Sequence, residues 1–377
     1  MSMEVKKSFI IFGSNAESLI NFRGNLIKLI EKYKFTVSIL CPFNDYEEKR
    51  LIAEFKNSNI HNIPLERGNT GLFGNLKSII HIFIALRCIK CNSGLFYTIK
   101  PVIFGGLIAT ILKRKNYTAM ITGLGISEFL LESKGFKEKF YRKLFAFSLH
   151  GYKRIIFQNR DDHLFLIEKK VISPNKKVFF VNGSGVDINK FKFTEVDDNN
   201  PKFLFMARLL KSKGINEYFE ASKNLKKKYH HAEFSIAGWL DEQNPESITE
   251  SDLEKIINSN SVTFLGKVDP YDAITKSNIF VLPSYREGLP RSVLEAMSCG
   301  RPIITTNAPG CKDTVIENHN GILAIPGDIH TLELAMETLI LDKALRIKMG
   351  FNSRKLVEEN FADHKVNQDM IRILNIA

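Results

Sequence analysis

Cysteine is scarce and unpatterned in this sequence of 377 residues. Its five thiols, at 41, 88, 91, 299 and 311, are odd in number and repeat no zinc-ligand spacing. That argues against a zinc site and fits a reducing cytoplasm. Cys88 and Cys91 form a C-x-x-C at the end of the apolar stretch "LKSIIHIFIALRCIKC", a setting that favours unreactive thiols over a redox pair. Long apolar runs are missing too. The longest candidate, "VIFGGLIATIL" at 102 to 112, is far short of the ~20 residues a membrane-crossing helix needs. No secretory leader pattern is visible, because Met1 to Ser8 carries Glu4, Lys6 and Lys7 and the apolar run after it, Phe9 to Phe12, has the length of a buried strand. Zinc-finger, RNP-type and arginine-rich patterns are absent, so nothing favours nucleic acid as a partner.

What is present is a globular composition with an uneven charge. Hydrophobic residues make up 44% and charged residues 25%, and the length suggests two domains. Residues 1 to 190 hold 30 Lys and Arg against 15 Asp and Glu, whereas residues 191 to 377 hold 23 against 26. The first half therefore prefers an anionic surface. Short runs rich in β-branched or aromatic residues ("SFIIFGS", "FTVSILCP", "GLFYTIK", "YTAMITG", "RIIFQN") alternate with helical patterns, which predicts a parallel, doubly wound sheet. A looser basic, glycine-bearing loop interrupts this near 66 to 75. The pattern breaks at "VFFVNGSGVDINKFKFTEVDDNNPK" and restarts with "FLFMARL", "EFSIAG", "VTFLG", "IFVLPS" and "PIITTN" as strands. We expect a first domain over 1–185, a linker over 186–201, a second domain over 202–355 and a helical tail over 356–377 packed back on the first domain. Ligands of such sheets bind outside the carboxyl ends of the strands.

The chemically suggestive residues fall in post-strand loops. Arg208 and Lys213, in "MARLLKSKGINEYF", precede a glycine-led helix start and would suit a diphosphate, although a solvated basic turn would read the same in isolation. In "SYREGLPRSVLEAMSCGRPIITTNAPGCKD", Glu287 and Gly288 lie in a loop, Leu289 and Pro290 lead into a helix with proline at its first position, Glu295 lies on that helix, and Cys299 with Gly300 ends it. At ~1.5 Å per helical residue the two carboxylates stand up to roughly 12 Å apart, about the span from a sugar across a diphosphate to a ribose. Helix-start N–H groups would lie between them. Further upstream, "KGFKEKFYRKLFAFSLHGYKR" combines Lys134, Lys137, Lys139, Arg142 and Lys143 with Phe136, Phe140, Tyr141, Leu144, Phe145 and Phe147. It reads either as a helix resting on an anionic bilayer or as a core helix with a solvated basic face.

With its E-x7-E at Glu287 and Glu295 and its arginine and lysine at Arg208 and Lys213, the sequence resembles the family 4 glycosyltransferases over nearly its whole length, and "NGSGVDINKF" matches the family's linker. "FRGNLIKLI", "TGLGISEF", "IIFQNRDD", "FSIAGWLDEQNPESIT" and "EGLPRSVLEAMSCGRPIITTNAPGCKDTV" are similar to the branch acting on undecaprenyl-diphosphate-linked glycans, N-acetylgalactosaminyltransferases among them. The resemblance implies a GT-B fold, α/β, with two Rossmann-like doubly wound parallel-sheet domains and a cleft between them. It implies retaining transfer of an N-acetylhexosamine, GalNAc favoured, or a hexose from a UDP-sugar to a polyprenyl-diphosphate-linked saccharide in O-antigen, capsule or glycan biosynthesis, with no cofactor and no essential metal. No Asp-x-Asp stands in the sequence to hold a divalent ion. The implied roles are Arg208 and Lys213 on the diphosphate, Glu287 on the sugar, Glu295 on the ribose, and the Gly288 and Leu289 N–H groups near the phosphates. Gly238 and Val268, the latter in "VTFLGKV" near the base, complete the donor side with Gly13 and Ser14. Gly123 with the basic residues Lys137, Lys139, Arg142 and Lys143 would serve the acceptor and the membrane, with the protein on the inner face of the cytoplasmic membrane. Where many members carry a histidine, this chain has Thr122 and Gly123, so histidine assistance is not implied. A nucleotide-sugar 2-epimerase of the same fold and a non-catalytic nucleotide-sugar-binding subunit are the alternatives.

Overall fold

The computed structural model describes residues 7–377 apart from 66–71, 90, 92, 115, 134, 197–199 and 243. Lys134 and most of the loop near 66 to 75 therefore lie outside the described residues. The chain divides into two compact units, one of Met1–Ser184 with Val366–Ala377 and one of Gly185–Lys365.

The first unit is built on seven parallel strands: β1 Ser8–Phe12, β2 Thr36–Cys41, β3 Asn59–Asn62, β4 Ser93–Tyr97, β5 Asn116–Ile121, β6 Arg154–Phe157 and β7 Val178–Phe180, in the order β3-β2-β1-β4-β5-β6-β7. Helices cover both faces, so strands such as "SFIIF" and "TVSILC" are apolar nearly throughout instead of alternating. On one face Ile10, Phe12 and Ile121 share a core with Val102, Phe145 and Leu149. On the other, Phe9, Ile11 and Val37 pack with Leu19, Ile27 and the carboxyl-terminal residues Met370, Ile371 and Leu374.

The second unit repeats the plan with six parallel strands, β8 Lys202–Met206, β9 Glu233–Ala237, β10 Thr263–Gly266, β11 Ile279–Leu282, β12 Ile303–Thr306 and β13 Gly321–Ala324, ordered β10-β9-β8-β11-β12-β13. In each sheet the order reverses once, between β1 and β4 and between β8 and β11, and that reversal opens a crevice at the carboxyl ends. Three strands were not legible as such: β3, β7 and β13 are edge strands of three or four residues, too short to show a period.

The stretch expected as a linker is packed on the second unit. Phe191 is buried, Val186 N–H donates to Phe361 O at 2.9 Å, and Asp363 N–H donates to Val186 O at 3.0 Å. Arg301, fully buried, fastens the rest: its guanidinium donates to Thr194 O at 2.9 Å, Cys299 O at 3.0 Å and Ile274 O at 3.1 Å. Burial lowers its pKa, and the carbonyls are what make an interior guanidinium tolerable. Replacing Arg301 by Ala strips several buried carbonyls of their donor, at about 1–3 kcal/mol each. We expect R301A to lose about 3 kcal/mol in urea unfolding; a loss under about 0.5 kcal/mol, an ordinary surface value, would show that the clamp is idle.

Candidate functional site

The loop after β8 runs through Ala207 and Arg208 to a single 3-10 turn at Lys211–Lys213, then Gly214 opens the helix Ile215–Lys228. The loop after β11 runs from Pro283 through Glu287 to the helix Arg291–Ser298. These two loops face each other across the reversal point. Tyr285 N–H donates to Ser212 O at 2.9 Å, and Lys213 Nζ donates to Glu287 Oε1 at 2.5 Å. Both members of that ion pair are mostly buried, at 18% and 14% side-chain exposure, so it is shielded from salt in a way a surface pair is not. Ser284 Oγ donates to the same Glu287 oxygen at 2.9 Å, and Glu287 N–H donates to Pro309 O at 2.9 Å, which fixes the carboxylate from both sides.

Two glycines permit this approach. Gly214 sits at φ 74°, and a Cβ there would stand 2.2 Å from Pro283 O. Gly310, at φ 75°, lies against the loop backbone, where a Cβ would meet Glu287 O at 2.3 Å and Gly288 O at 2.5 Å. Any side chain at either place would push the loops apart. Beside them Cys311 is buried, its thiol pushed up to about 12 by burial and by Glu287, so it stays protonated.

Helix capping singles out the same place. In the second unit the helices Glu250–Asn258, Pro270–Thr275, Ile329–Leu341 and Lys343–Leu356 each start with a side chain, Thr249, Asp269, Asp328 or Asp342, that accepts from first-turn N–H groups. The helices Ile215–Lys228 and Arg291–Ser298 start with Gly214 and Pro290, whose side chains can accept nothing. Sequence reading put Pro290 at the first helical position; it stands one residue earlier, as the N-cap, and Arg291 is the first helical residue. Two helix N-termini with no side-chain cap, an ammonium and a carboxylate therefore meet at one reversal point. Such an arrangement binds an anion with hydroxyls attached.

Arg208 is half exposed and donates to Asp241 Oδ2 at 2.6 Å, so its guanidinium is already shared. Gly238 follows β9, with its N–H donating to Gly266 O at 2.9 Å and a would-be Cβ only 2.1 Å from Ala207 O; Val268 is exposed just past β10. Glu295 is buried and takes Arg291 Nε at 2.9 Å. Burial raises its carboxyl above the usual range, opposed by Arg291 and by Lys190 from the segment 186–201. In the first unit Gly13 follows β1 and packs on Tyr97, the Ser14 hydroxyl accepts from Asn15, and Gly123, at φ 114°, follows β5. Lys137, Lys139, Arg142 and Lys143 lie on the helix Phe136–His150, where Arg142 pairs with Glu138 at 3.5 Å.

Residues 186–356 match the family described as "Glycosyl transferases group 1". The second unit therefore carries a group 1 glycosyltransferase domain. The chain is 27% identical to the capsular polysaccharide biosynthesis glycosyltransferase CapM of Staphylococcus aureus, over 96% of this chain and 94% of that one. It is 28% identical to the N,N'-diacetylbacillosaminyl-diphospho-undecaprenol alpha-1,3-N-acetylgalactosaminyltransferase of Campylobacter jejuni, over 89% and 90%. The fold superposes on HepE of Anabaena, solved in complex with UDP, with a TM-score of 0.74 at 17% identity, covering 98% of this chain and 100% of that one. The glycosyltransferase therefore has the GT-B fold of two Rossmann-like domains.

Sequence reading of this glycosyltransferase had the glycine-led helix start at Gly214 but missed Ser284, Gly310, Asp241 and Arg291. Gly310 carried a signal, since it lies in a post-strand loop; the pairing of Asp241 with Arg208, 33 residues apart, carried none. We expect Gly214→Ala to cost about 2 kcal/mol or more, from left-handed backbone strain plus the clash with Pro283. Denaturant unfolding that moves by under about 0.5 kcal/mol would mean that the two loops are not held by this contact.

Proposed function

We propose that this glycosyltransferase moves a sugar from a UDP-sugar to a polyprenyl-diphosphate-linked saccharide, with retention of configuration, in bacterial surface-polysaccharide or glycan assembly. N-acetylgalactosamine is the favoured sugar, another N-acetylhexosamine or a hexose the next. The observation that carries the reading is the pair of helix N-termini without side-chain caps, Gly214–Ile215 and Pro290–Arg291, beside Lys213 and Glu287. Support comes from the names of its relatives, one a transferase onto a diphospho-undecaprenol sugar and one a capsular enzyme, and from a fold neighbour solved with UDP.

In this reading the donor diphosphate lies on the two helix starts. Lys213 has three N–H donors, so it can hold Glu287 and a phosphate oxygen together. Arg208 has five, and its link to Asp241 orients the guanidinium and leaves donors for a phosphate. Glu287, held by Lys213 and Ser284, accepts from sugar hydroxyls; Glu295 serves the ribose end, with Arg291 offsetting part of the cost of its burial. Gly238 and Val268 border the base. Gly13, Ser14 and Gly123 belong to the acceptor-bearing unit's contribution. As the sugar C1–O bond to the diphosphate breaks, negative charge grows on the leaving oxygen, where Lys213, Arg208 and the helix ends stabilise it. The acceptor hydroxyl oxygen bonds to C1 and its proton passes to that phosphate oxygen. Glu287 orients and stabilises without attacking.

The test is a panel of UDP-sugars with a synthetic polyprenyl-diphosphate glycan, read by mass spectrometry and anomeric NMR. UDP release should require both substrates, and the product should keep the donor's configuration. Donor conversion without acceptor would instead favour an epimerase. Lys213→Ala should weaken UDP-sugar binding at least ~10-fold, and Glu287→Ala should lower turnover by about 10²-fold or more with unfolding curves preserved. Unchanged binding and turnover in both variants would refute the assignment.

A further inference from the structure

The loop after β9 is folded onto the loop after β8. Leu209 N–H donates to Trp239 O at 3.1 Å, Ile248 N–H to Leu209 O at 3.0 Å and Lys211 N–H to Glu246 O at 2.8 Å. Leu210 and Ser247 form an antiparallel bridge, and Ser212 Oγ donates to Glu246 Oε2 at 2.5 Å. Within the β9 loop, Asp241 N–H donates to Ser247 Oγ at 3.2 Å and Asn244 N–H donates to Asp241 O at 2.7 Å, so the backbone of Asp241 is fixed on both sides. What this scaffold carries is the Asp241 carboxylate, which takes Arg208 Nη1 at 2.6 Å. Backbone bonds already hold the two loops together, and an ion pair whose arginine is 43% exposed adds little to stability. The charge of Asp241 therefore calls for another role.

Its place beside the diphosphate-binding loop supplies one. A phosphate on the other nitrogens of Arg208 would stand within roughly 7 Å of Asp241, inside the screening length of physiological salt. The carboxylate repels that phosphate in proportion to the charge it carries. In a UDP-sugar each phosphate is esterified on both sides and holds one negative charge. The departing UDP ends in a free phosphate, which loses its proton above a pKa of roughly 6 and gains a second charge. Cations and helix starts that stabilise the leaving oxygen thus hold the product more tightly than the donor, and a site made of them alone would stay occupied. We propose that Asp241 is a positioning residue that acts through Arg208 to weaken the hold on UDP more than the hold on UDP-sugar, so that the product leaves. The inference rests on the donor reading above and extends it from binding to release.

Titration calorimetry of the full chain with UDP and with UDP-N-acetylgalactosamine tests it. Asp241→Asn keeps an acceptor oxygen for Arg208 and removes only the charge. D241N should bind UDP at least ~5-fold tighter and UDP-N-acetylgalactosamine at most about 2-fold tighter, a change of ratio that a loosened loop would not produce. D241E should restore the wild-type ratio. E242Q, which removes the neighbouring exposed acid and keeps the Arg208–Asp241 pair, should leave the ratio as in the wild type. A D241N variant that binds both ligands as the wild type does, or binds both more weakly by the same factor, would overturn the inference. So would E242Q moving the ratio as far as D241N. Wild-type protein that binds no UDP would overturn the donor reading as well, whereas UDP binding with the ratio unmoved in D241N overturns this inference alone.

Discussion

The second unit depends on two loops being able to touch. Parallel strands β8 and β11 are neighbours, yet their chains leave the sheet in opposite directions, so a gap would open at their carboxyl ends unless the loops turned back into it. Gly214 lets the first loop reach Pro283, and Gly310 lets the chain after β12 support Glu287 and Gly288 from behind. Backbone contact at these distances tolerates no Cβ. The Lys213–Glu287 ion pair follows from that approach, and so does the convergence of two helix N-termini. A carboxylate and an ammonium this far from water need each other's company.

Much of this was legible in the sequence, for a physical reason. Strands covered on both faces read as apolar runs, so β1, β2, β4, β5, β6, β8, β9, β11 and β12 stood out, with the edge strand β10 beside them, and motif residues could be assigned to post-strand loops. The edge strands β3, β7 and β13 were not read because three or four residues are too few to show a period. The segment 186–201 looked like a linker because it is polar and turn-rich; it is held by buried hydrogen bonds from Arg301 and by Phe191, a mode of packing that leaves no periodicity.

At the site the residue types were readable and the partners were not. Arg208, Lys213, Glu287 and Glu295 occupy the loops and the helix their spacing suggested, but Arg208 is shared with Asp241 and Glu295 with Arg291. Those pairs join residues that no periodic pattern connects or, for Arg291 and Glu295, lie one helical turn apart in a stretch already assigned another meaning. Basic aromatic residues 136–150 were ambiguous until exposure was known: the same sequence could have buried its phenylalanines and wetted its lysines. Phe145 is inside, and Phe136, Phe140 and Phe147 are outside.

The central claim is that the donor's phosphates sit on the helix starts after β8 and β11. Hydrogen exchange of backbone amides, with and without UDP, addresses it directly because neither helix start has a side-chain cap. UDP should protect amides at 215–217 and 288–293 more than any others in the second unit. Protection concentrated elsewhere, with these two segments exchanging as before, would contradict the account.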